Sequence, residues 1–566
     1  MKKIIAAGLS ALLATAAVAA EPSDLAIVLK PAAEDARHLV PFLDVAITLS
    51  ALPASPSQSL LRLALVSSNV QTSADRIEAL KARDKRGELA LTTHDDPAGP
   101  SAQRHWTAAR RVEGPLTLTY RILVTNQPNP RGAAPPLEIR SDEGGVSAAG
   151  STFLILPENQ QSYRVKLTWD LSAAGPGAMA ASSLGIGNAA PAEPLSPDAL
   201  DQTFFMAGAI HLYPDQPHHG GFFSAWQGTP PFDGAALMSW TETLYGKDLG
   251  YFHADGAPPY GVFLRTNPIN AGGGVELDHS FIGTYDGKTD IGQFKFTLSH
   301  EMVHSFAGHL DEPEALLYSW YSEGLAVYYQ NRLPLRAGLI TEDEFLKDFN
   351  VTAGRYYTDA LNDTPNDQIP QRFWADTRIR VLPYDRGALY FATLDDAVRK
   401  ASGNKRSLDD LVLAMLDRQR HGGKMDFAAW KDILGRELGE PGLTALQDML
   451  DGRLVLPGAD AFGPCFTRTT APLRRYELGF APEVLVQPKR IVHGLVAGSS
   501  AEAAGLRDGD EIVKPIPQDA LQADQQATLT LQVRRDGKDF AITYLPRGET
   551  VPAYQWIRTG TAGCRS

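Results

Sequence analysis

His300-Glu301-Met302-Val303-His304 decides how this chain is read. A four-residue step is about one helical turn, so on a helix both imidazoles share a face and reach one ion. Glu301 is rotated around the helix from that pair. Its carboxylate reaches a water held by the ion without ligating the ion itself. Phe296, Leu298 and Val303 place apolar side chains around the motif, as a buried helix requires. Downstream runs Trp320-Tyr321-Ser322-Glu323-Gly324-Leu325-Ala326. Eighteen residues separate His304 from Glu323, enough for a connection and the start of a second helix that projects the Glu323 carboxylate towards the histidines. Two His and one Glu, with a fourth position open to water, are the ligand set of a catalytic zinc site.

His309 is the rival third ligand. The metzincin pattern places Gly three and His six residues after the second motif histidine. Here Gly308 and His309 stand at four and five, out of phase on both counts. His309 therefore reads as a solvent-facing histidine past the helix end.

The pattern changes along the chain. From about 22 to 172 it is mostly β. Leu116, Leu118, Tyr120, Ile122 and Val124 alternate with polar residues, as do Tyr163, Val165, Leu167 and Trp169. Period two with one polar face marks strands of a half-exposed sheet. Clusters such as Asn126-Gln127-Pro128-Asn129-Pro130 separate the runs. Residues 173–199, rich in Ala, Gly, Pro and Ser, have the composition of a connecting stretch. From 200 to 455 the pattern is mainly helical. Thr341-Glu342-Asp343-Glu344 has the form of a capping box. Helices are expected over Gly387–Ser402 and from Ser407 onward, and a strand at Tyr260–Leu264. From 456 to the end, short strands and turns return. The expected organisation is thus 1–20 as a targeting segment, 21–199 as a β-rich domain with its connector, 200–455 as the metal-bearing domain and 456–566 as a terminal domain.

The segment 1–20 combines Lys2 and Lys3, an apolar run from Ile4 to Val18, and small residues at Ala17-Val18-Ala19 or Val18-Ala19-Ala20. That is the form of a secretory signal peptide. It implies an exported protein, periplasmic or extracellular, with an uncleaved anchor as the alternative. No later segment approaches the ~18 continuous apolar residues of a membrane span. An apolar content of 43% over 566 residues supports several cores. The net charge of −13, without long basic runs, argues against nucleic acid or an anionic membrane as partner. Cys465 and Cys564 flank the last hundred residues or so. In an oxidising compartment such a pair is expected to be bonded, tying a terminal domain end to end, with two free buried thiols as the alternative. Neither cysteine has metal-binding spacing.

At this point the chain resembles a known family. It is similar to the gluzincins and, more closely, to the glycyl aminopeptidase family. Ser319-Trp320-Tyr321-Ser322-Glu323-Gly324-Leu325-Ala326-Val327-Tyr328-Tyr329 and Leu335-Arg336-Ala337-Gly338-Leu339-Ile340 resemble the third-ligand helix and the segment after it. Pro383-Tyr384-Asp385-Arg386-Gly387-Ala388 resembles the segment bearing a catalytic tyrosine. Gly273-Gly274-Val275-Glu276 resembles the strand that binds a substrate's free amine. Gly498-Ser499-Ser500-Ala501-Glu502-Ala503-Ala504-Gly505-Leu506-Arg507-Asp508-Gly509-Asp510, leading into Glu511-Ile512-Val513, resembles the helix-to-strand segment of PDZ domains, and Glu477-Leu478-Gly479-Phe480 their carboxylate-binding loop.

The resemblance implies a multidomain fold: a β-sheet N-terminal domain, a mainly helical α+β thermolysin-like catalytic domain, and a PDZ-like C-terminal domain. It implies one zinc per chain on His300, His304 and Glu323, with Glu301 as general base and Tyr384 as a hydrogen-bond donor to the oxyanion. Gly273, Gly274 and Glu276 would bind substrate, and Glu276 would pair with an N-terminal amine. Without the resemblance, Tyr384 reads as a packed tyrosine before a helix and Glu276 as an exposed charge on a Gly-rich turn. The chain also departs from the family. Leu277 stands where a histidine usually follows the glutamate, and Ser305-Phe306 replace a Trp-Asn pair. Both changes bear on substrate preference more than on the metal. Three functions follow: a zinc aminopeptidase, a zinc endopeptidase on the same scaffold, or an inactive PDZ-type binder of peptide C-termini.

Overall fold

The computed structural model describes residues 22–559, apart from 53–57, 69, 100, 127–134, 217–219, 268–270 and 517. The expected signal peptide, most of the Asn126–Pro130 turn and Cys564 lie outside the described residues.

The N-terminal part is built from sheets. The largest has six strands in the order Tyr163–Trp169, Ser23–Pro31, Phe42–Leu49, Leu116–Leu123, Ile77–Asp84 and Gly87–Glu88. Its first pair is parallel and the others are antiparallel. The alternation at Leu116–Leu123 does what period two predicts. Leu116, Leu118, Tyr120 and Ile122 are buried, and the residues between them lie towards solvent. They join a core with Leu25, Ile27, Leu29, Val45 and Ile47.

The stretch expected to be a connector is packed structure instead. Met179–Ser182 and Gly185–Ile186 are strands of a five-stranded sheet that also holds Gly145–Ala149 and Phe204–Gly208. Its small residues suit tight burial: Ala180, Ala181 and Ser182 are nearly inaccessible. Ala181, Phe204 and Met206 share a core with Phe223, Ala225, Phe263 and Ile282 of the next sheet.

That next sheet has the order Ile210–Tyr213, Phe222–Gln227, Tyr260–Thr266, Ser280–Tyr285, Gly274–Leu277. Its central strands are parallel, and Gly274–Leu277 is an antiparallel edge. Every residue of Phe222–Gln227 and Ser280–Tyr285 is buried. Strands covered on both faces lose the alternating signature, so this sheet was mostly hidden from a period-two reading. Helices follow, carrying one large aromatic-rich core. The Thr341 capping box forms: its side chain accepts from the Glu344 N–H, and Glu344 accepts from the Thr341 N–H.

Beyond 456 the packing divides. Phe466–Tyr476 and Arg547–Arg558 form an antiparallel ribbon. The ribbon docks on helix Glu342–Thr358, where Trp556 N–H donates to Asn350 Oδ1 at 2.8 Å and its ring meets Phe349 at 5.3 Å. Phe466, Ala553 and Trp556 therefore belong to the helical core. Between the two ribbon strands a four-stranded sheet, Arg490–Ile491, Glu511–Ile512, Leu529–Arg535, Lys538–Tyr544, has a core of its own with Leu478, Val492, Leu506, Leu531 and Val533. Cys465, at the base of the ribbon, is disulfide-bonded.

Candidate metal centre and active site

The motif lies on helix Ile291–Ala307. Asp290 caps it, accepting from Gln293 N–H at 2.9 Å. Gly308 ends it at φ +64°, a left-handed value that glycine adopts without strain. Phe294, Leu298, Met302 and Val303 bury one face. Glu323 projects from the neighbouring helix Ala315–Arg336, held by Trp320, Tyr321, Leu325 and Tyr328 in the same core.

The three side chains converge. Glu323 Oε2 lies 3.3 Å from Nε2 of both His300 and His304, and those two nitrogens are 3.2 Å apart. A tetrahedral ion with bonds of ~2.0–2.1 Å spaces its ligand atoms about 3.3 Å apart. The triangle matches that spacing, and the donor set suits zinc. The side chains of His300, His304 and Glu323 are 12%, 13% and 23% exposed, so the cluster is largely but not wholly shielded from solvent. Among the described residues no other group of three or more His, Cys, Asp or Glu forms such a cluster. His309 is exposed beyond the helix end and takes no part.

The charged groups of the site act strongly on one another. Burial alone would lower the His304 pKa, but Glu323, with Glu301 and Glu276, lifts it to about 9. Burial would raise Glu323, but His304 and His300 hold it far below the usual carboxylate range. Burial pushes the Glu301 carboxyl up, partly opposed by the two histidines.

A second layer fixes the ligands. His300 Nδ1 lies 3.2 Å from Gln330 Oε1, and Gln330 Nε2 donates to Asp348 Oδ2 at 2.8 Å. Asn331 Nδ2 donates to the same oxygen at 2.9 Å. Partners of this kind set a ligand's tautomer and ring orientation. Sequence reading missed Gln330 and Asp348. The signal for Gln330 was present: it follows Glu323 by seven residues, about two helical turns, on the same face.

Tyr384 sits in the first turn of helix Leu382–Ser402, not before it. Its ring stacks against His300, with centroids 6.0 Å apart and planes at 17°. Two features place it. Arg355 clasps the next residue, Asp385, by two bonds of 2.6 and 2.5 Å, and Asp385 is fully buried. The Glu323 and Tyr384 helices also touch backbone to backbone. A Cβ on Gly324 would lie 2.6 Å from Gly387 Cα, and one on Gly387 would lie 2.6 Å from Trp320 O. Only glycine at both positions allows this approach.

Glu276 lies on the edge strand Gly274–Leu277, alongside the motif helix. Ser305 Oγ donates to its Oε1 at 3.0 Å, so one of the sequence departures is wired to this carboxylate. Burial, reinforced by Glu301 and opposed by His304, lifts Glu276 to about 7. The Gly273 carbonyl accepts from Thr284 N–H and Oγ1 at 2.8 and 2.9 Å. A Cβ on Gly274 would overlap the Phe281 ring. The structure thus brings His300, Glu301, His304, Glu323, Tyr384 and Glu276 to one place, and it gives Gly274 a packing role in the edge of the sheet while the Gly273 carbonyl is held by Thr284.

A paired-histidine helix, a carboxylate from the next helix and an antiparallel edge strand beside them define a metallopeptidase-type site. Residues 293–368 match the family model of the M61 glycyl aminopeptidases, and the resemblance read from the sequence is borne out over that segment. The fold is similar to that of an aminopeptidase N family protein from Idiomarina loihiensis. The TM-score is 0.66 at 16% identity, covering 95% of this chain and 98% of that one. An M1 zinc metallopeptidase from Deinococcus radiodurans aligns with a TM-score of 0.46 at 17% identity, over 77% of this chain and 94% of that one. No curated protein matches the sequence. Among the described residues no helix is long and apolar enough to cross a membrane.

Proposed function

We propose that the chain is a zinc-dependent aminopeptidase that hydrolyses the first peptide bond of its substrates. The observation that carries this reading is the 3.2–3.3 Å triangle of His300, His304 and Glu323 with Glu276 nearby on the edge strand. A bound zinc ion would supply Lewis acidity, activating a water and polarising the scissile carbonyl. Glu301, one residue from a ligand and raised in pKa by burial, takes a proton from the attacking water and returns it to the leaving amine. The Tyr384 phenol donates a hydrogen bond to the developing oxyanion. Glu276, oriented by Ser305, pairs with the substrate's α-ammonium and sets the cut one residue from the end. Gly273 and Gly274 keep the edge strand close to that amine.

The chain is read as exported, to the periplasm or beyond. The disulfide at Cys465 suits an oxidising compartment, and Cys564, the other cysteine of the sequence, is its proposed partner. The unit between the ribbon strands is read as PDZ-like. Its short helix Ser500–Ala503, capped by Ser499, backs onto Gly479, where a Cβ would lie 2.6 Å from that of Ala501. Peptide C-termini are its proposed ligands.

The test compares aminoacyl-amides with free and N-acetylated amines, with and without a chelator. Free-amine substrates should be preferred and turnover should need the metal. Preference for acetylated substrates would favour an endopeptidase on this scaffold. Turnover in neither class would favour the binding protein.

A further inference from the structure

An open cavity of about 220 Å³ lies beside the end of the motif helix, and one of its wall residues, Ser305, bonds Glu276. Its walls include Tyr245, Phe252, Tyr260 and Phe306, with Ser305 between the cavity and Glu276. The rings brace one another. Phe306 stacks on Phe252 at 5.4 Å and 5°, and Tyr245 on Tyr260 at 5.9 Å and 14°. The Tyr245 hydroxyl donates to Pro258 O at 2.5 Å, tying helix Gly234–Tyr251 to the loop at the cavity's edge. These walls are preformed, so filling them orders little new structure.

We infer that this cavity receives the side chain of the substrate's first residue and selects an aromatic one. The inference rests on the aminopeptidase reading. In such a substrate the α-ammonium and the first side chain leave the same carbon. The pocket for that side chain must therefore adjoin the carboxylate that holds the amine. Ser305 meets this condition, since it lines the cavity and bonds Glu276. Tyr260 adds a second link. Burial, with Glu276 and Glu301 adding to it, lifts its phenol well above the ordinary value, so a cavity wall lies within electrostatic reach of both carboxylates. Size argues for a ring: a dry cavity of ~150 Å³ already holds benzene. Glycine would leave the space empty. A basic side chain would meet Arg420, which also lines the cavity and donates to Phe252 O.

The experiment uses the full-length, zinc-loaded protein. kcat/KM is measured on phenylalanyl and glycyl amides, with N-acetyl-phenylalanyl amide beside them. The phenylalanyl substrate should be preferred by about tenfold or more, the discrimination that burying a phenyl group supplies. Ala254→Phe plugs the cavity from a half-buried wall position. It should cut the phenylalanyl rate about tenfold and leave the glycyl rate within about twofold. If that variant loses both activities, Ala254→Leu narrows the same space less severely, with the same direction of change expected. A separate readout is calorimetric binding of L-phenylalanine and glycine to zinc-loaded Glu301→Gln protein, where phenylalanine should bind at least about tenfold tighter. A glycyl preference, equal binding of the two amino acids, or plugging variants that leave the ratio unchanged would overturn the pocket and spare the aminopeptidase reading. A preference for the acetylated amide would overturn both.

Discussion

Gly387→Ala should disable catalysis without touching a catalytic side chain. Its added methyl would lie 2.6 Å from Trp320 O and 2.8 Å from Gly324 Cα. Ordinary carbon contacts sit at about 3.5–4.0 Å, so the two helices must part by roughly 1 Å. Tyr384 rides one turn before Gly387 on the displaced helix, and Glu323 precedes Gly324 on the other. Misplacement by ~1 Å can cost about 100-fold in rate, and loss of one oxyanion donor costs ~100- to 1,000-fold. The expected result is a kcat about 100-fold lower with KM little changed, and an overpacking cost of about 1–3 kcal/mol in stability. The assay is steady-state kinetics on a free-amine aminoacyl-amide, beside Tyr384→Phe and the double variant. If the methyl acts through Tyr384, the double variant is no slower than Tyr384→Phe alone. Wild-type kcat in Gly387→Ala, or losses that multiply in the double variant, would refute the reasoning.

Three further outcomes are expected. Gln330→Ala frees His300 from Asp348 and should weaken zinc binding about 10- to 100-fold in chelator competition, with circular dichroism unchanged. Glu276→Ala should lower kcat/KM for free-amine substrates while sparing acetylated ones. An equal loss on both would remove its role in reading the amine. Arg355→Ala removes the two-bond clasp on the fully buried Asp385 carboxylate and should cost about 3–5 kcal/mol in urea unfolding, because breaking a buried ion pair from one side leaves the remaining charge less compensated.

The cluster of His300, His304 and Glu323 was legible because the histidine spacing follows from helical geometry and the gap to Glu323 is long enough for a second helix. His300 and His304 share a face by the four-residue step, and Glu323 lies where a second helix brings it back. The half-exposed strands Leu116–Leu123 and Tyr163–Trp169 were legible for the same reason, since one face of each meets solvent. What stayed hidden lacks a local period. The sheet beneath the site is covered on both faces, so Phe222–Gln227 is an apolar run that composition alone does not distinguish from core helix. The Ala/Gly/Ser-rich stretch looked like a connector because small residues serve loops and tight burial alike, and only the pairing of Met179–Ser182 with Phe204–Gly208 separates the two. The 456 boundary looked sharp because strands begin soon after it. Yet Phe466 packs on Phe345 and Trp556 on Phe349, and those contacts join residues far apart in the chain. Asp348 reaches the site through Gln330 across such a gap, so no motif near His300 announced it.

The most direct test of the account is metal content. Protein purified without added zinc, then loaded and desalted, is analysed by mass spectrometry for metals, beside Glu323→Ala and Glu301→Gln. The account predicts one zinc per chain in the native protein and in Glu301→Gln, with turnover lost in the latter, and little zinc in Glu323→Ala. A Glu323→Ala protein that keeps its full zinc, or a Glu301→Gln protein that keeps full turnover, would contradict it.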